Sequence, residues 1–292
     1  MRLGFIGTGK IGNPMARNLI GAGHDLVVND LRPAACANLL ELGATWAESP
    51  AAVAAQTGVI FTSLPGPAEI EAVLTGPTGI LAGAQPGSVY FDLSTNAPST
   101  ARRLAALAAE RGVTYLDSPV SGGVSGAEKA TLAVMVGGDR ATFDSHRPLL
   151  EAIGANVFHL GDVGAGCTAK LANNLIALGV SHLLNESLVM GVKAGIDAQT
   201  LYEVMNVASA SRFVQGIPRL LERHFDEPTF TLALAAKDVG LAVALGREHG
   251  VPMPASAAIE QALLAATAAG HGERASSASM LWLESLTGVE AR

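Results

Sequence analysis

Lys170 stands inside the stretch GAGCTAKLANNL (164–175), with Asn173 and Asn174 three and four positions further on. On an α-helix those spacings share a face, so an ammonium and two carboxamides would project together. A lysine ammonium within hydrogen-bond reach of an oxygen donates a proton when a carbonyl is reduced. Its neutral amine accepts that proton when the alcohol is oxidised. The second role requires a lowered pKa, which partial desolvation and neighbouring positive charge both favour. A helix lysine is ordinarily solvated, but Ala169, Leu171, Ala172, Leu175 and Ile176 around this one are small or apolar. Gly164 and Gly166 would let another molecule approach the helix start closely. Asn174 can hydrogen-bond a hydroxyl without competing for its proton.

A second chemical pattern lies at the N-terminus, where GFIGTGKIGNPMARNL carries Gly7, Gly9 and Gly12 in G-x-G-x-x-G spacing. Alone this triplet is weak in a chain with 33 glycines. Here it follows an apolar run that reads as a strand, opens a helix, and precedes a second strand that ends at Asp30. In that context Gly7 permits a tight turn, Gly9 lets backbone approach a pyrophosphate, and Gly12 lets helix pack on strand. The turn Gly7, Thr8, Gly9, Lys10, Ile11, Gly12 would present helix N–H groups to phosphates. Asp30 would accept both hydroxyls of an adenosine ribose and repel a 2′-phosphate, which favours NAD. Arg32 is near enough to accommodate that phosphate, so NADP stays open.

The third pattern is DSPVSGGVSGAEKATLAVMVGG (117–138), which starts at the carboxyl end of a predicted strand. Ser121, Gly122 and Gly123 form a small turn whose N–H groups suit an anion such as a carboxylate. Other candidates carry less. The seven histidines are scattered without metal spacing, and Cys167 has no adjacent base and reads as a packed residue. Asp238 beside Lys237 would either orient that lysine or cap a helix.

The elements that must position these groups follow from periodicity. Strands are predicted at 2–7, 25–29, 58–64, 88–93, 113–120, 131–138 and 156–160, alternating with helices at 12–22, 33–42, 97–111 and 140–152. That alternation predicts crossover connections and a mostly parallel sheet covered on both faces. After about residue 163 the strand pattern stops and helices follow. The first, 165–195, would run roughly 45 Å at about 1.5 Å per residue. The expected organisation is an α/β Rossmann-type dinucleotide-binding domain over 1–163 and an all-α domain over 164–292, joined by that long helix. Lys170 would then face a cleft between the two.

Composition narrows the function classes. Apolar residues make up 49% and charged residues 15%, which excludes a disordered chain. The net charge of −7, with no basic run, argues against nucleic acid. Ser181 and His182 interrupt the most apolar window, which suits a core helix better than a membrane span. Two cysteines and the lack of an apolar leader pattern point to the cytoplasm. A long apolar helix exposed on one face would be a liability, so a homodimer or homotetramer is expected.

Taken together, the motifs resemble the β-hydroxyacid dehydrogenase family, which includes 3-hydroxyisobutyrate dehydrogenases and tartronate semialdehyde reductases. The resemblance spans nearly the whole chain. GFIGTGKIGNPMARNL resembles the cofactor turn, SLP (63–65) and DLST (92–95) the nicotinamide-side loops, and DSPVSGG the substrate loop. GAGCTAKLANN resembles the catalytic helix, and FTLALAAKDVGLA (230–242) the segment that returns a second lysine.

The resemblance implies that Leu64, Pro65, Thr95 and Lys237 contact the dinucleotide and that Ser121, Gly122 and Gly123, with Asn173, hold a small carboxylate-bearing substrate. It implies Lys170 as acid/base with Asn174 beside it, and no metal. Ile11, Ser118 and Ala130 depart from the commoner methionine, alanine and glycine. Leu31 stands where NADP-preferring relatives tend to carry arginine, which again favours NAD. Two alternatives remain: an imine reductase, which usually has another residue at the lysine position, and a catalytically silent dinucleotide-binding module.

Overall fold

Alanine-rich helices and short apolar strands alternate through Met1–Lys170, the first of two units in the computed structural model, which describes residues 1–292. In chain order they are β1 (Arg2–Ile6), α1 (Gly12–Gly21), β2 (Asp25–Asn29), α2 (Ala37–Glu41), β3 (Thr45–Trp46), α3 (Pro50–Ala54) and β4 (Val59–Thr62). There follow α4 (Pro67–Thr75), α5 (Ile80–Gly83), β5 (Val89–Asp92), α6 (Pro98–Ala109) and β6 (Thr114–Asp117). The six strands form one sheet in the order β3-β2-β1-β4-β5-β6, parallel throughout. The order reverses between β1 and β4, the place where open sheets of this type bind ligands beyond their carboxyl ends.

Side-chain alternation divides the core in two. Leu3, Phe5, Phe61, Phe91 and Leu116 point to one face, where the rings of Phe5, Phe61 and Phe91 stack at 6.2 and 5.2 Å. Ile6, Ile60, Tyr90 and Tyr115 fill the other. Both faces are dry because crossover helices cover them, as a parallel sheet requires.

The sequence predicts one strand over 113–120, and the structure divides it. Pro119 has no N–H and restricts the residue before it, so pairing with β5 stops at Asp117. The chain then enters a separate three-stranded sheet. It contains β7 (Val120–Ser121), β8 (Ala133–Val136) and β9 (Asn156–His159), with α7 (Gly123–Glu128) and α8 (Arg140–Glu151) between them. β7 runs antiparallel to β8, and β9 parallel to it. The two-residue β3 was not predicted, being too short for a period to register. The helix expected over 33–42 is a 3₁₀ turn, Pro33–Cys36, followed by α2.

The second unit, Leu171–Arg292, is helical. α9 (Ala165–Lys193) begins in the first unit and continues into the second. It is followed by α10 (Ala198–Val207), α11 (Ile217–Leu221), α12 (Leu232–Glu248), α13 (Pro254–Ala266) and α14 (Ser279–Thr287). One core gathers around Leu188, Val214, Ile217 and Met280, another around Leu232, Val239 and Leu263. Length and composition alone would let α9 cross a membrane. Its buried Asn185, however, donates to Ser279 Oγ of α14 at 2.8 Å, and buried His182 lies 3.4 Å from the same oxygen. A polar contact of that kind belongs to a packed helical core.

Candidate active site

Each end of the glycine turn shows why its residues are small. Gly7 takes φ +86°, and a Cβ on Gly12 would collide with the Gly7 carbonyl oxygen. A Cβ on Gly9, by contrast, would meet nothing within 4 Å, so the outer side of the turn is open. No side chain caps α1, which leaves its first N–H groups for a ligand. Thr8 is buried, Ile11 half-buried and Lys10 exposed.

Asp30 follows directly on β2, and backbone fixes its carboxylate. Thr8 N–H donates to Oδ2 at 2.8 Å and Arg32 N–H to Oδ1 at 2.9 Å. Each carboxylate oxygen accepts more than one hydrogen bond, so ribose hydroxyls would find an oriented acceptor. Leu31 beside it is fully exposed. Open space at Gly9, uncapped N–H groups and a fixed acid together fit a dinucleotide.

The loops after β4 and β5 are tied to one another. Leu64 N–H donates to Ser94 Oγ at 2.9 Å, Pro65 is exposed and Thr95 half-buried. Beneath them Asp92 is fully buried and accepts from Thr62 Oγ1 at 3.1 Å, Ser94 N–H at 3.1 Å and Tyr115 OH at 3.0 Å. Burial pushes its carboxyl up to about 6, with the hydrogen bonds pulling the other way. The sequence marked Asp92 and Ser94 only as members of the DLST loop and assigned neither a role, because a polar residue at a strand end carries no sign of what it will meet.

The structure places Ser121 at the end of β7, half-buried, and Gly122 and Gly123 exposed just beyond. The glycines adopt φ +137° and +65°, a backbone region that other residues rarely take. Ala130, which closes the same segment, also has positive φ, at +54°.

Lys170 and Asn174 are each only 9% exposed, one turn apart on α9, while Asn173 is exposed. Within the second unit Asn174 Nδ2 donates to Asp238 Oδ2 at 2.7 Å. That bond turns the Asn174 carbonyl oxygen away from Asp238, and it accepts from Asn173 Nδ2 at 3.1 Å. Asp238 is 1% exposed, and its other oxygen lies 2.7 Å from Lys237 Nζ, a contact of charge rather than an aligned hydrogen bond. Thr231 Oγ1 caps α12. Asp238 therefore orients Lys237 rather than capping a helix, and it holds Asn174 as well, a link that the sequence did not reveal. Cys167 is buried, and burial together with Asp117 raises its thiol well above the usual range, so it is no nucleophile.

Fold and site define a dinucleotide-binding oxidoreductase, and comparison with known proteins agrees. Residues 2–161 match the model of the NAD-binding domain of 6-phosphogluconate dehydrogenase. Residues 164–283 match that of the NAD-binding region of NADP-dependent 3-hydroxyisobutyrate dehydrogenase. The 2-(hydroxymethyl)glutarate dehydrogenase of Eubacterium barkeri is 38% identical, over 99% of this chain and 97% of its own. The 2-hydroxy-3-oxopropionate reductase of Escherichia coli is 36% identical, over 97% of each. Among solved structures, a 3-hydroxyisobutyrate dehydrogenase from Salmonella typhimurium superposes with a TM-score of 0.88 at 28% identity, covering 97% of this chain and 99% of its own.

The chain belongs to the β-hydroxyacid dehydrogenase family, and is an NAD(P)-dependent oxidoreductase. An imine reductase from Myxococcus stipitatus, covering 97% of this chain and 100% of its own, is more distant, at 19% identity and a TM-score of 0.65, and shares the fold alone.

Proposed function

We propose that this enzyme oxidises a short 3-hydroxy acid, or reduces the matching semialdehyde, with Lys170 as general acid/base. The observation that carries the proposal is a buried lysine one helical turn from a buried asparagine whose amide Asp238 holds in one orientation. NAD, when bound, supplies the hydride acceptor. The turn Gly7–Gly12 with Asp30 would hold its pyrophosphate and ribose, and Leu64, Pro65, Thr95 and Lys237 would complete its contacts. Ser121, Gly122 and Gly123, with Asn173, would hold the substrate carboxylate.

On oxidation the carbinol C–H bond breaks and its electron pair leaves as hydride, the C–O bond becomes a carbonyl, and the hydroxyl proton passes to the neutral Lys170 amine. Reduction reverses each change, with the ammonium donating the proton. Asn174 spends one amide hydrogen on Asp238, and its second can donate to the substrate oxygen, supporting it without competing for its proton.

Asp30 and the uncharged Leu31 favour NAD over NADP. A screen of 3-hydroxyisobutyrate, 2-(hydroxymethyl)glutarate, glycerate and L-serine with each dinucleotide, read by absorbance, tests substrate and cofactor together. Lys170→Ala should lower kcat at least about a hundredfold while NADH affinity stays nearly unchanged. A smaller loss removes Lys170 from this role. Tight NADH binding without turnover of any acid by the wild type would mark a silent binding module instead.

A further inference from the structure

The first turn of α9 is fastened to the sheet by a single carboxylate. Asp117, the last residue of β6, is fully buried. Its Oδ1 accepts the Gly164 N–H at 2.7 Å and its Oδ2 the Cys167 N–H at 2.7 Å. These amides lie at the start of a helix, where N–H groups have no partner within the helix itself. The Asp117 backbone is fixed in turn, its N–H donating to Gly137 O at 3.1 Å and its carbonyl accepting from Gly137 N–H at 2.8 Å. The carboxylate thus joins a rigid strand to a helix start, and Lys170 follows Cys167 by less than one turn.

The joint has no slack. A Cβ on Gly137 would stand 2.6 Å from Asp117 Oδ1 and 2.9 Å from Ala165 N. One on Gly166 would run into the Met135 carbonyl oxygen and lie 2.8 Å from that of Asp117. The helix therefore starts directly against β6 and β8, with two charge-assisted bonds setting its rotation and its height. Burial raises the Asp117 carboxyl pKa, while the two N–H bonds oppose that rise by favouring the ion. A lysine side chain magnifies small rotations of its helix, and a displacement of about 1 Å at a reacting group can cost on the order of a hundredfold in rate.

We propose that Asp117 is a positioning residue for proton transfer, fixing the first turn of α9 and through it the point from which Lys170 reaches the substrate oxygen. It rests on the assignment of Lys170 as acid/base.

The test is a double-mutant cycle on the full-length enzyme with NAD and 3-hydroxyisobutyrate: wild type, Asp117→Asn, Lys170→Ala and the double variant. NADH affinity is read by fluorescence, and kcat and KM by absorbance. Asp117→Asn should keep NADH affinity and KM within about threefold and lower kcat about thirtyfold, since an amide can accept from only one of the two N–H groups. The double variant should be no slower than Lys170→Ala by more than about threefold, because the aspartate acts only through the lysine.

A kcat within threefold of wild type for Asp117→Asn, or losses that multiply in the double variant, would overturn the proposal. Full activity of Lys170→Ala would instead sink the acid/base assignment itself, and is visible separately in that single variant. Should Asp117→Asn not fold, amide exchange in the wild type decides. The Gly164 and Cys167 amides should exchange as slowly as those of β6, and fast exchange at both refutes the fastening.

Discussion

Asp238 shows how one side chain can set the chemistry of others: its two oxygens hold the Asn174 amide and the Lys237 ammonium. The orientation of Asn174 is thus inherited from α12, while the residue itself was readable from α9 alone. Ala130 shows the opposite, a residue at odds with its backbone. Its φ of +54° lies in the left-handed region, which costs an alanine about 1 kcal/mol and a glycine almost nothing. Ala130→Gly should therefore raise stability by roughly 0.5 kcal/mol once the extra freedom of glycine in the unfolded chain is subtracted. Urea denaturation measures this, and a loss of stability would mean that the alanine methyl packs to more effect than the strain costs.

Along the carboxyl edge of the sheet, Thr62, Asp92 and Asp117 are register neighbours on β4, β5 and β6. Asp92, held at about 6 against an ordinary 3.8, binds a proton more readily folded than unfolded. The sign follows: its contribution to stability is complete below about pH 4 and is lost as pH rises through 6. The difference of about 2 in pKa corresponds to roughly 3 kcal/mol. Asp92→Asn removes this dependence, since Tyr115 can accept from the new amide where it formerly donated. From pH 5 to pH 8 the wild type should lose about 1 kcal/mol or more relative to Asp92→Asn in denaturant titrations. Equal slopes would show the carboxyl to titrate normally.

Such networks mark the limit of what sequence alone discloses at the level of elements. The strands of the parallel sheet other than β3 were legible as apolar runs, α9 as an uninterrupted helical stretch, and the glycine turn through its place between strand and helix. The division at Pro119 was missed because Val120 and the β-forming residues before Asp117 read as one strand across it, and only the ladder hydrogen bonds show where pairing with β5 ends. Apart from Ser94 and Lys237, the partners of Asp92, Asp117 and Asp238 lie far away along the chain, and no local period encodes them.

For the molecule as a whole, α9 carries Ile176, Leu183 and Met190 at seven-residue spacing, 70%, 53% and 68% exposed. An apolar stripe with that period suits a second helix, and we propose that it pairs with another copy of this chain. Sedimentation should give a dimer or a larger assembly, and Leu183→Glu with Met190→Glu should lower the order of assembly. A wild-type monomer at micromolar concentration would refute the proposal. The central position of β1 bears on how the chain folds. Leu3 pairs between Leu26 and Val59, so neither neighbour can form by a hairpin, and a long loop must close before the strand is held on both sides. Refolding from denaturant should therefore be slow and pass through states with open strand edges. In those states dilution and low temperature would protect the chain from aggregation more than any gain in native stability would.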